Sequence, residues 1–209
     1  MRKNSFFFIV FEGVEGTGKS FQIKKLSNKL SKLKFKTIQT REPGGSKLSE
    51  KIRKLIFDKK NSKLNDITDY YLMLASRNEH INTTIQKAIK NKSILICDRF
   101  VDSTYAYQVI GKKINKKVND INQKYILNNL KPDLTIILKA NFKSIFSRLK
   151  KRKATNKFDK LKKSFYARAQ KTFIKLSKKN NYYLFDSSEN NKKVENDIFN
   201  LVIKKISNI

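Results

Sequence analysis

The chain opens on a short unbroken apolar run, Phe6–Phe11, and turns polar at once after it. A run this short with no alternation predicts a strand buried on both faces, because a half-buried strand would show a polar residue at every second place. Ile23, Leu26, Leu30 and Leu33 follow at spacings of three and four, the period of one helical face. The two signatures then alternate. Lys36–Thr40 predicts a second strand, ended by Pro43-Gly44-Gly45, and Leu48, Ile52, Leu55 and Ile56 predict a helix. Asp66 to Lys90 predicts one or two helices, and Ser93–Cys97 a third strand. Ile121, Tyr125 and Leu130 predict a helix that Pro132 stops. Leu134–Leu138 predicts a fourth strand, Ile145 and Leu149 a helix running into the basic stretch Arg148–Lys163, and Phe165, Ala169, Phe173 and Leu176 another helix. Tyr182–Phe185 predicts a fifth strand and Val194–Ile206 a terminal helix. Strands alternating with helices predict an α/β fold, a five-stranded parallel sheet with helices on both faces in three layers. The chain has 209 residues and no internal repeat. We expect one domain over residues 1–209, with a short lid at about 148–162 whose polar part, Arg152–Lys162, reads as a mobile flap.

The first turn carries the strongest chemical signal. Gly13-Val14-Glu15-Gly16-Thr17-Gly18-Lys19-Ser20 matches G-x-x-x-x-G-K-[ST] in full, after a predicted strand and at the start of a predicted helix. Glycines let backbone N–H groups turn inward around phosphate oxygens, and the helix N-terminus favours the anion. Lys19 would reach the β- and γ-phosphates of ATP, and the Ser20 hydroxyl would help hold Mg²⁺. The third strand runs into Asp98, the place for a carboxylate that holds Mg²⁺ through water. The fold expectation becomes a P-loop three-layer sandwich.

Composition sharpens two residue types. The net charge of +31 resembles a nucleic-acid footprint. However, arginine occurs only at positions 2, 41, 53, 77, 99, 148, 152 and 168, so lysine dominates the charge; asparagine, isoleucine and phenylalanine are abundant as well. That skew is what a coding sequence drifting toward A and T produces, and lysine is a solvated charge that most surface positions tolerate; no specific nucleic-acid partner is expected. Against this background the 6 glycines stand out: five fall at 13, 16, 18, 44 and 45, where clustered glycine implies positive φ or close ligand approach. Each arginine likewise suggests a site needing a planar two-pronged donor, which lysine cannot replace.

Ligands of doubly wound sheets sit beyond the carboxyl ends of the strands. Thr40-Arg41-Glu42-Pro43-Gly44-Gly45, Arg53 on the next helix, and Asp98-Arg99 through Gln108 therefore face one crevice with the P-loop. Arg53 and Arg99 could clamp a monophosphate by bidentate contacts, and Arg77, on a helix between them, suits a base carbonyl. With these segments the chain closely resembles the thymidylate kinase family, over essentially its whole length. The most specific parts are Glu12 through Ser20, Thr40–Gly45 with Arg53, and Asp98-Arg99 through Ser103, Ala106, Tyr107 and Gln108.

The resemblance implies transfer of the γ-phosphoryl group of ATP to dTMP, giving dTDP, with Mg²⁺, by a homodimer packed through helices; the single cysteine fits a reducing compartment, and a cytoplasmic protein is expected. It implies that Glu15 contacts the acceptor sugar hydroxyl, that Arg53 and Arg99 hold the acceptor phosphate, and that Arg77 reads thymine. It also implies that Ser103, Tyr107 and Gln108 line the base and sugar pocket. Arg148 and Arg152 fall where the bacterial type carries lid arginines, so Lys19, Glu15, Arg99, Arg148 and Arg152 form the implied catalytic set. Tyr182–Ser188 resembles the strand and loop near adenine. Four departures stand out: Met73 where the family stacks phenylalanine on thymine; Lys150 and Lys157 for lid arginines; Asn156 and Asp159 for an aspartate and a glutamate; and Lys139 for an aspartate.

Three other functions compete: a nucleoside monophosphate kinase with relaxed base choice, a nucleic-acid-binding protein switched by ATP, and a degenerate kinase that binds without transfer. His80, the only histidine, reads as structural, and Cys97, the only cysteine, as a small buried hydrophobe. Phe6–Phe11 is too short for a secretory signal and ends at Glu12-Gly13 instead of a small-residue cleavage site. No apolar stretch approaches the roughly 20 residues of a membrane span.

Overall fold

A computed structural model describes residues 5–58, 64–151, 162–189 and 191–207. Five strands, β1 (Phe7–Glu12), β2 (Thr37–Arg41), β3 (Ile94–Asp98), β4 (Leu134–Lys139) and β5 (Tyr182–Asp186), form one sheet in the order β2-β3-β1-β4-β5. Every pairing is parallel, with Phe11 beside Asp98 and Ile136 across β1. β1 lies at the centre and is buried at all six positions. Its odd residues, Phe7, Ile9 and Phe11, pack with Ile23, Leu26 and Leu30 of α1 (Lys19–Lys32) and with Val194, Ile198, Val202 and Ile206 of α9 (Asn191–Ser207). Its even residues, Phe8 and Val10, pack on the opposite face with Ile81, Ile85 and Phe100. Each such side chain contributes about 1.5–3 kcal/mol by leaving water, which is why the strand tolerates no polar alternation.

The second face carries α2 (Lys47–Phe57), α3 (Asp66–His80), α4 (Gln86–Lys90), α5 (Val101–Thr104), α6 (Lys116–Leu127), α7 (Phe142–Lys150) and α8 (Lys163–Leu176). The predicted α/β layering is therefore present. The long helical region is one continuous run, with π-helical turns at Ile81–Ile85 joining α3 to α4. Two details differ from expectation. α6 ends at Leu127, where Asn128 takes a left-handed conformation (φ 42°), so the stop precedes Pro132 and Leu130 lies outside the helix. A helix not foreseen, α5 continued by π-helical Tyr105–Gly111, follows β3.

Every strand ends on a charged residue at the same edge of the sheet: Glu12, Arg41, Asp98, Lys139 and Asp186. An apolar strand can only present charge where the sheet stops, so the topology alone gathers these groups along one crevice.

Candidate active site

The P-loop leaves β1 and enters α1 through Gly18, which is left-handed (φ 87°), and no side chain caps the helix. The first N–H groups of α1 are thus left for an incoming anion. Gly13 has φ 135°, and a Cβ there would lie 2.2 Å from the Leu138 carbonyl oxygen, so only glycine fits beside β4. The Thr17 hydroxyl donates to Val14 O (2.8 Å). Lys19 Nζ folds back onto Gly13 O (2.9 Å) and Val14 O (3.1 Å). Burial, then the nearby Arg99 cation, pull the Lys19 pKa down to about 8, against carboxylates that support the ammonium.

Ser20 Oγ donates to Asp98 Oδ2 (2.9 Å). The other oxygen, Asp98 Oδ1, is buried and has no hydrogen-bond partner among the described residues. An orphaned carboxylate oxygen beside a hydroxyl fits a hard cation with its waters. Among the described residues no group of three or more His, Cys, Asp or Glu side chains is arranged to hold a metal, so the protein offers Ser20 and Asp98, and a nucleotide would complete the shell.

Across Glu15 from the cradle lies a cleft of about 840 Å³ including its open mouth, lined by Glu15, Arg41, Arg53, Phe57, Met73, Arg77, Arg99, Ser103, Tyr107 and Gln108 among others. Four arginines reach it and three are paired. Arg41 binds Glu50 through Nε (3.2 Å) and NH2 (2.8 Å). Arg99, itself left-handed (φ 75°), donates from NH2 to Glu15 Oε1 (2.8 Å) and from NH1 to Ser103 Oγ (3.0 Å). Burial works against the Arg99 cation, but Glu15 and neighbouring acidic groups outweigh it and hold its pKa above the ordinary value. The Tyr107 hydroxyl donates to the second oxygen of Glu15 (2.6 Å), and burial followed by that carboxylate keeps Tyr107 neutral far above its usual pKa.

Arg53 differs. It donates to Pro43 O (2.6 Å) and lies over the Phe57 ring at 4.7 Å. It makes no ion pair among the described residues. Burial, then repulsion from Arg41, pull its pKa down to about 10. A cation kept partly buried without a counter-ion is a place prepared for an anion.

Arg77, 3% exposed, is held by Glu42 (Nε to Oε2, 2.7 Å), by Gln123 (NH1 to Oε1, 3.1 Å) and by the Phe100 carbonyl (3.0 Å). Glu42 also meets His80 Nδ1 (2.9 Å), whose Nε2 meets Thr40 Oγ1 (2.7 Å). Burial acts to raise the Glu42 pKa, but Arg77 and His80 hold it below the ordinary carboxylate value. The Gly44 N–H is fixed by Ser76 Oγ (3.0 Å). His80 is thus a buried strut joining β2 to α3, as its structural reading requires. Met73, 8% exposed, sits one turn before Arg77 and lines the cleft. Cys97 is fully buried, and its thiol is pushed well up by that burial.

Of the implied site residues, Glu15, Lys19, Ser20, Arg53, Met73, Arg77, Asp98, Arg99, Ser103, Tyr107 and Gln108 all line this one cleft. Arg148 does not. Its NH1 donates to Gly16 O (3.2 Å) and its NH2 to Ser187 O (2.6 Å), tying α7 and the loop after β5 to the P-loop. Ser187 Oγ reinforces this by donating to Thr17 O (2.7 Å). Of the departures, Lys139 pairs with Asp186 (3.1 Å), and Lys150 ends α7. Arg152, Asn156, Lys157 and Asp159 lie outside the described residues.

Residues to which the sequence assigned no role also join. Glu42 and Gln123 hold Arg77, Phe57 lies under Arg53, and Glu12 receives Phe100 N (2.8 Å), Ser103 N (3.1 Å) and Ser103 Oγ (2.6 Å). Glu42 stood inside a singled-out motif and could have been found there; Gln123 gave no signal.

Comparison with known proteins gives one consistent result. The family model described as thymidylate kinase matches residues 11–198. The thymidylate kinase of Mycoplasma capricolum is 34% identical over 203 residues, covering 95% of each chain. That of Mycoplasma mobile is 41% identical over 177 residues, covering 81% of this chain and 82% of its own. The crystal structure of thymidylate kinase from Ehrlichia chaffeensis superposes with a TM-score of 0.75 at 29% identity, covering 97% of this chain and 99% of that one.

Proposed function

We infer the division of labour in this cleft from one premise: the chain belongs to the thymidylate kinase family. It uses ATP to phosphorylate dTMP to dTDP. The observation that carries the assignment of residues is a complete phosphate cradle opening, across Glu15, onto a cleft with an arginine, Arg53, that makes no ion pair among the described residues. Phosphoryl transfer needs positioning and charge neutralisation more than covalent help from the protein.

ATP lies with its phosphates on the backbone of Gly13, Val14, Glu15, Gly16, Thr17, Gly18, Lys19 and Ser20. Lys19 leaves the Gly13 and Val14 carbonyls for the β- and γ-phosphates, whose charge restores its proton affinity. Ser20 and Asp98 would hold Mg²⁺, and the ion would neutralise phosphate charge there. The dTMP phosphate sits between Arg53 and Arg99. One of its oxygens attacks the γ-phosphorus as the bond to the β-phosphate oxygen breaks, and ADP leaves. Holding both reactants in line supplies about 7–11 kcal/mol of barrier reduction.

Glu15 spans the two halves: it fixes Arg99, and the sugar hydroxyl completes its acceptor capacity. Arg77 donates to the base carbonyl, Met73 packs on the base, and Ser103, Tyr107 and Gln108 close the pocket wall. Arg148 stabilises the cradle through its contacts with the Gly16 and Ser187 carbonyls, and the lid at about 148–162, whose Arg152 lies outside the described residues, supplies the remaining cation over the phosphates and excludes water. The single domain spans 1–209.

The protein acts as a homodimer in the cytoplasm, on the route to dTTP. Support for the dimer comes from apolar side chains left in solvent on two neighbouring helices: Ile67 and Tyr71 on α3, and Val118, Ile121 and Tyr125 on α6. The helices are joined beneath by Tyr70, which meets Asn119 and Asn122. Such a patch seeks a partner. No helix among the described residues is long and apolar enough to cross a membrane.

The test is ADP release with ATP and Mg²⁺ against dTMP, dUMP, UMP, CMP, AMP and GMP. Strong turnover on dTMP, weaker on dUMP and background elsewhere is expected. Broad turnover would replace dTMP by a relaxed choice of monophosphate, the reading Met73 favours. No turnover with ATP still bound would overturn the assignment.

A further inference from the structure

We propose that Glu12, which does not line the cleft, is a positioning residue of the acceptor site: it sets the direction of the Ser103 hydroxyl and through it the fork of Arg99. This rests on the reading of Arg99 as a ligand of the acceptor phosphate.

Three observations carry it. First, α5 starts after Phe100, whose side chain cannot cap a helix, and the N–H groups of Phe100 and Ser103 are satisfied instead by Glu12 Oε1, at 2.8 and 3.1 Å. A carboxylate at the end of β1 thus caps the helix that carries Ser103, Tyr107 and Gln108 into the cleft, the work a local Ser or Asp does elsewhere. Second, the Ser103 hydroxyl donates to Glu12 Oε2 (2.6 Å), while Arg99 NH1 donates to Ser103 Oγ (3.0 Å). A hydroxyl has one proton. While Glu12 is ionised that proton points at Glu12, and the oxygen is left to accept from Arg99. A protonated Glu12 would itself donate to Ser103: the oxygen could still accept from Arg99, but the hydroxyl proton would lose the carboxylate that fixes its direction, and the anchor of Arg99 would loosen. Third, Glu12 is fully buried at 0% exposure, so no water replaces a lost partner.

The charges around Glu12 tune it. Asp102 on α5, held by Lys179 (3.3 Å) and the Tyr182 hydroxyl (2.8 Å), faces it from one side. Arg99 after β3, Lys19 on α1, the Cys97 thiol on β3 and Tyr182 on β5 also feel its charge. Burial, then Asp102, push the Glu12 pKa up to about 7, against the pull of Arg99 and of the Ser103 and Phe100 hydrogen bonds. The anchor therefore loosens as Glu12 gains its proton, and acceptor binding weakens as pH falls through that range.

Glu12→Gln tests this. The amide oxygen still caps α5, but the NH₂ group donates to Ser103 and mimics the protonated acid. KM for dTMP and for ATP are measured from pH 6 to 8.5 in the native protein, Glu12→Gln and Arg99→Ala. We expect the dTMP KM of Glu12→Gln to rise about tenfold or more at pH 8, the loss of one hydrogen bond to a charged group, with the ATP KM within about twofold of native. We expect the native dTMP profile to carry a limb near pH 7 that Glu12→Gln lacks. The second ionisation of the dTMP phosphate, near pH 6, is common to both and cancels in the comparison. Equal rises in both KM values, or an unchanged limb, would overturn the proposal by leaving Glu12 a structural cap. If Arg99→Ala raises only the ATP KM, the underlying reading of Arg99 fails instead. Should Glu12→Gln not fold, Ser103→Ala carries the test: it breaks the relay while keeping the carboxylate, and must raise the dTMP KM and remove the limb, or the proposal falls.

Discussion

Replacing Arg53 by methionine separates binding from stability in a way the other pocket arginines do not allow. Arg41, Arg77 and Arg99 each neutralise a carboxylate, so their loss strands a negative charge. Arg53 strands none. Its pKa, pulled down to about 10 by burial and Arg41, corresponds to about 3 kcal/mol at roughly 1.4 kcal/mol per unit. The side chain is only partly buried, so solvent screening reduces this to about 1–2 kcal/mol of strain relieved in the variant. Against it stand the hydrogen bond to Pro43 O and the contact with Phe57, together about 1–2 kcal/mol. The two nearly cancel. Arg53→Met should therefore melt within about 4 °C of the native protein, given about 2–4 °C per kcal/mol for a chain of this size. Its dTMP KM should rise at least about a hundredfold, since a charge-assisted contact to phosphate contributes about 3 kcal/mol. Thermal melting with and without dTMP, beside coupled kinetics, reads both. dTMP at 100 times its Kd should stabilise the native protein by about 2.7 kcal/mol, and the variant at the same concentration hardly at all. A loss of more than about 3 kcal/mol in the variant, or a dTMP KM changed less than about threefold, would refute the reasoning.

Asp98→Asn should raise the Mg²⁺ concentration for half-maximal turnover at least about tenfold, with the fold unchanged by circular dichroism; an unaltered Mg²⁺ titration would place the ion elsewhere. Gly45→Ala should cost about 2–4 kcal/mol in denaturant unfolding, because a Cβ there would meet Thr40 Oγ1 at 2.3 Å and the His80 ring at 2.6 Å and break the strut under Glu42. Tyr125→Glu with Ile121→Glu should give a monomer by light scattering if the α3–α6 face joins two copies, and a persistent dimer would move the interface.

Much of this structure is written locally and was legible for that reason. β1 reads as a two-sided buried strand because both of its faces are filled, and the P-loop reads as a cradle because glycine spacing and helix start lie in eight consecutive residues. What stayed hidden depends on partners far apart in sequence. The helix after β3 gave no start signal, since Phe100 cannot cap it and the carboxylate that does is 88 positions earlier. Its π-helical turns, Tyr105–Gly111, also break the 3.6 period that marks a helical face. Glu42 was visible only as a letter in a motif, because its meaning lies in Arg77 and His80, which are 35 and 38 positions away. Arg148 looked like a free lid cation, and nothing in the sequence says that its fork is taken by carbonyls of Gly16 and Ser187.

The glycine at the end of β1 has a consequence for how this sequence can change with time. A methyl group on Gly13 has no room beside the Leu138 carbonyl, whereas a solvent-facing residue loses little by becoming lysine or asparagine. Mutational bias can therefore rewrite the exterior and shift the net charge by tens of units, yet it meets a steric wall at the cradle. Divergence in such a lineage should be lopsided: electrostatic character wanders freely between descendants, while the shape of the nucleotide cleft is inherited almost unaltered.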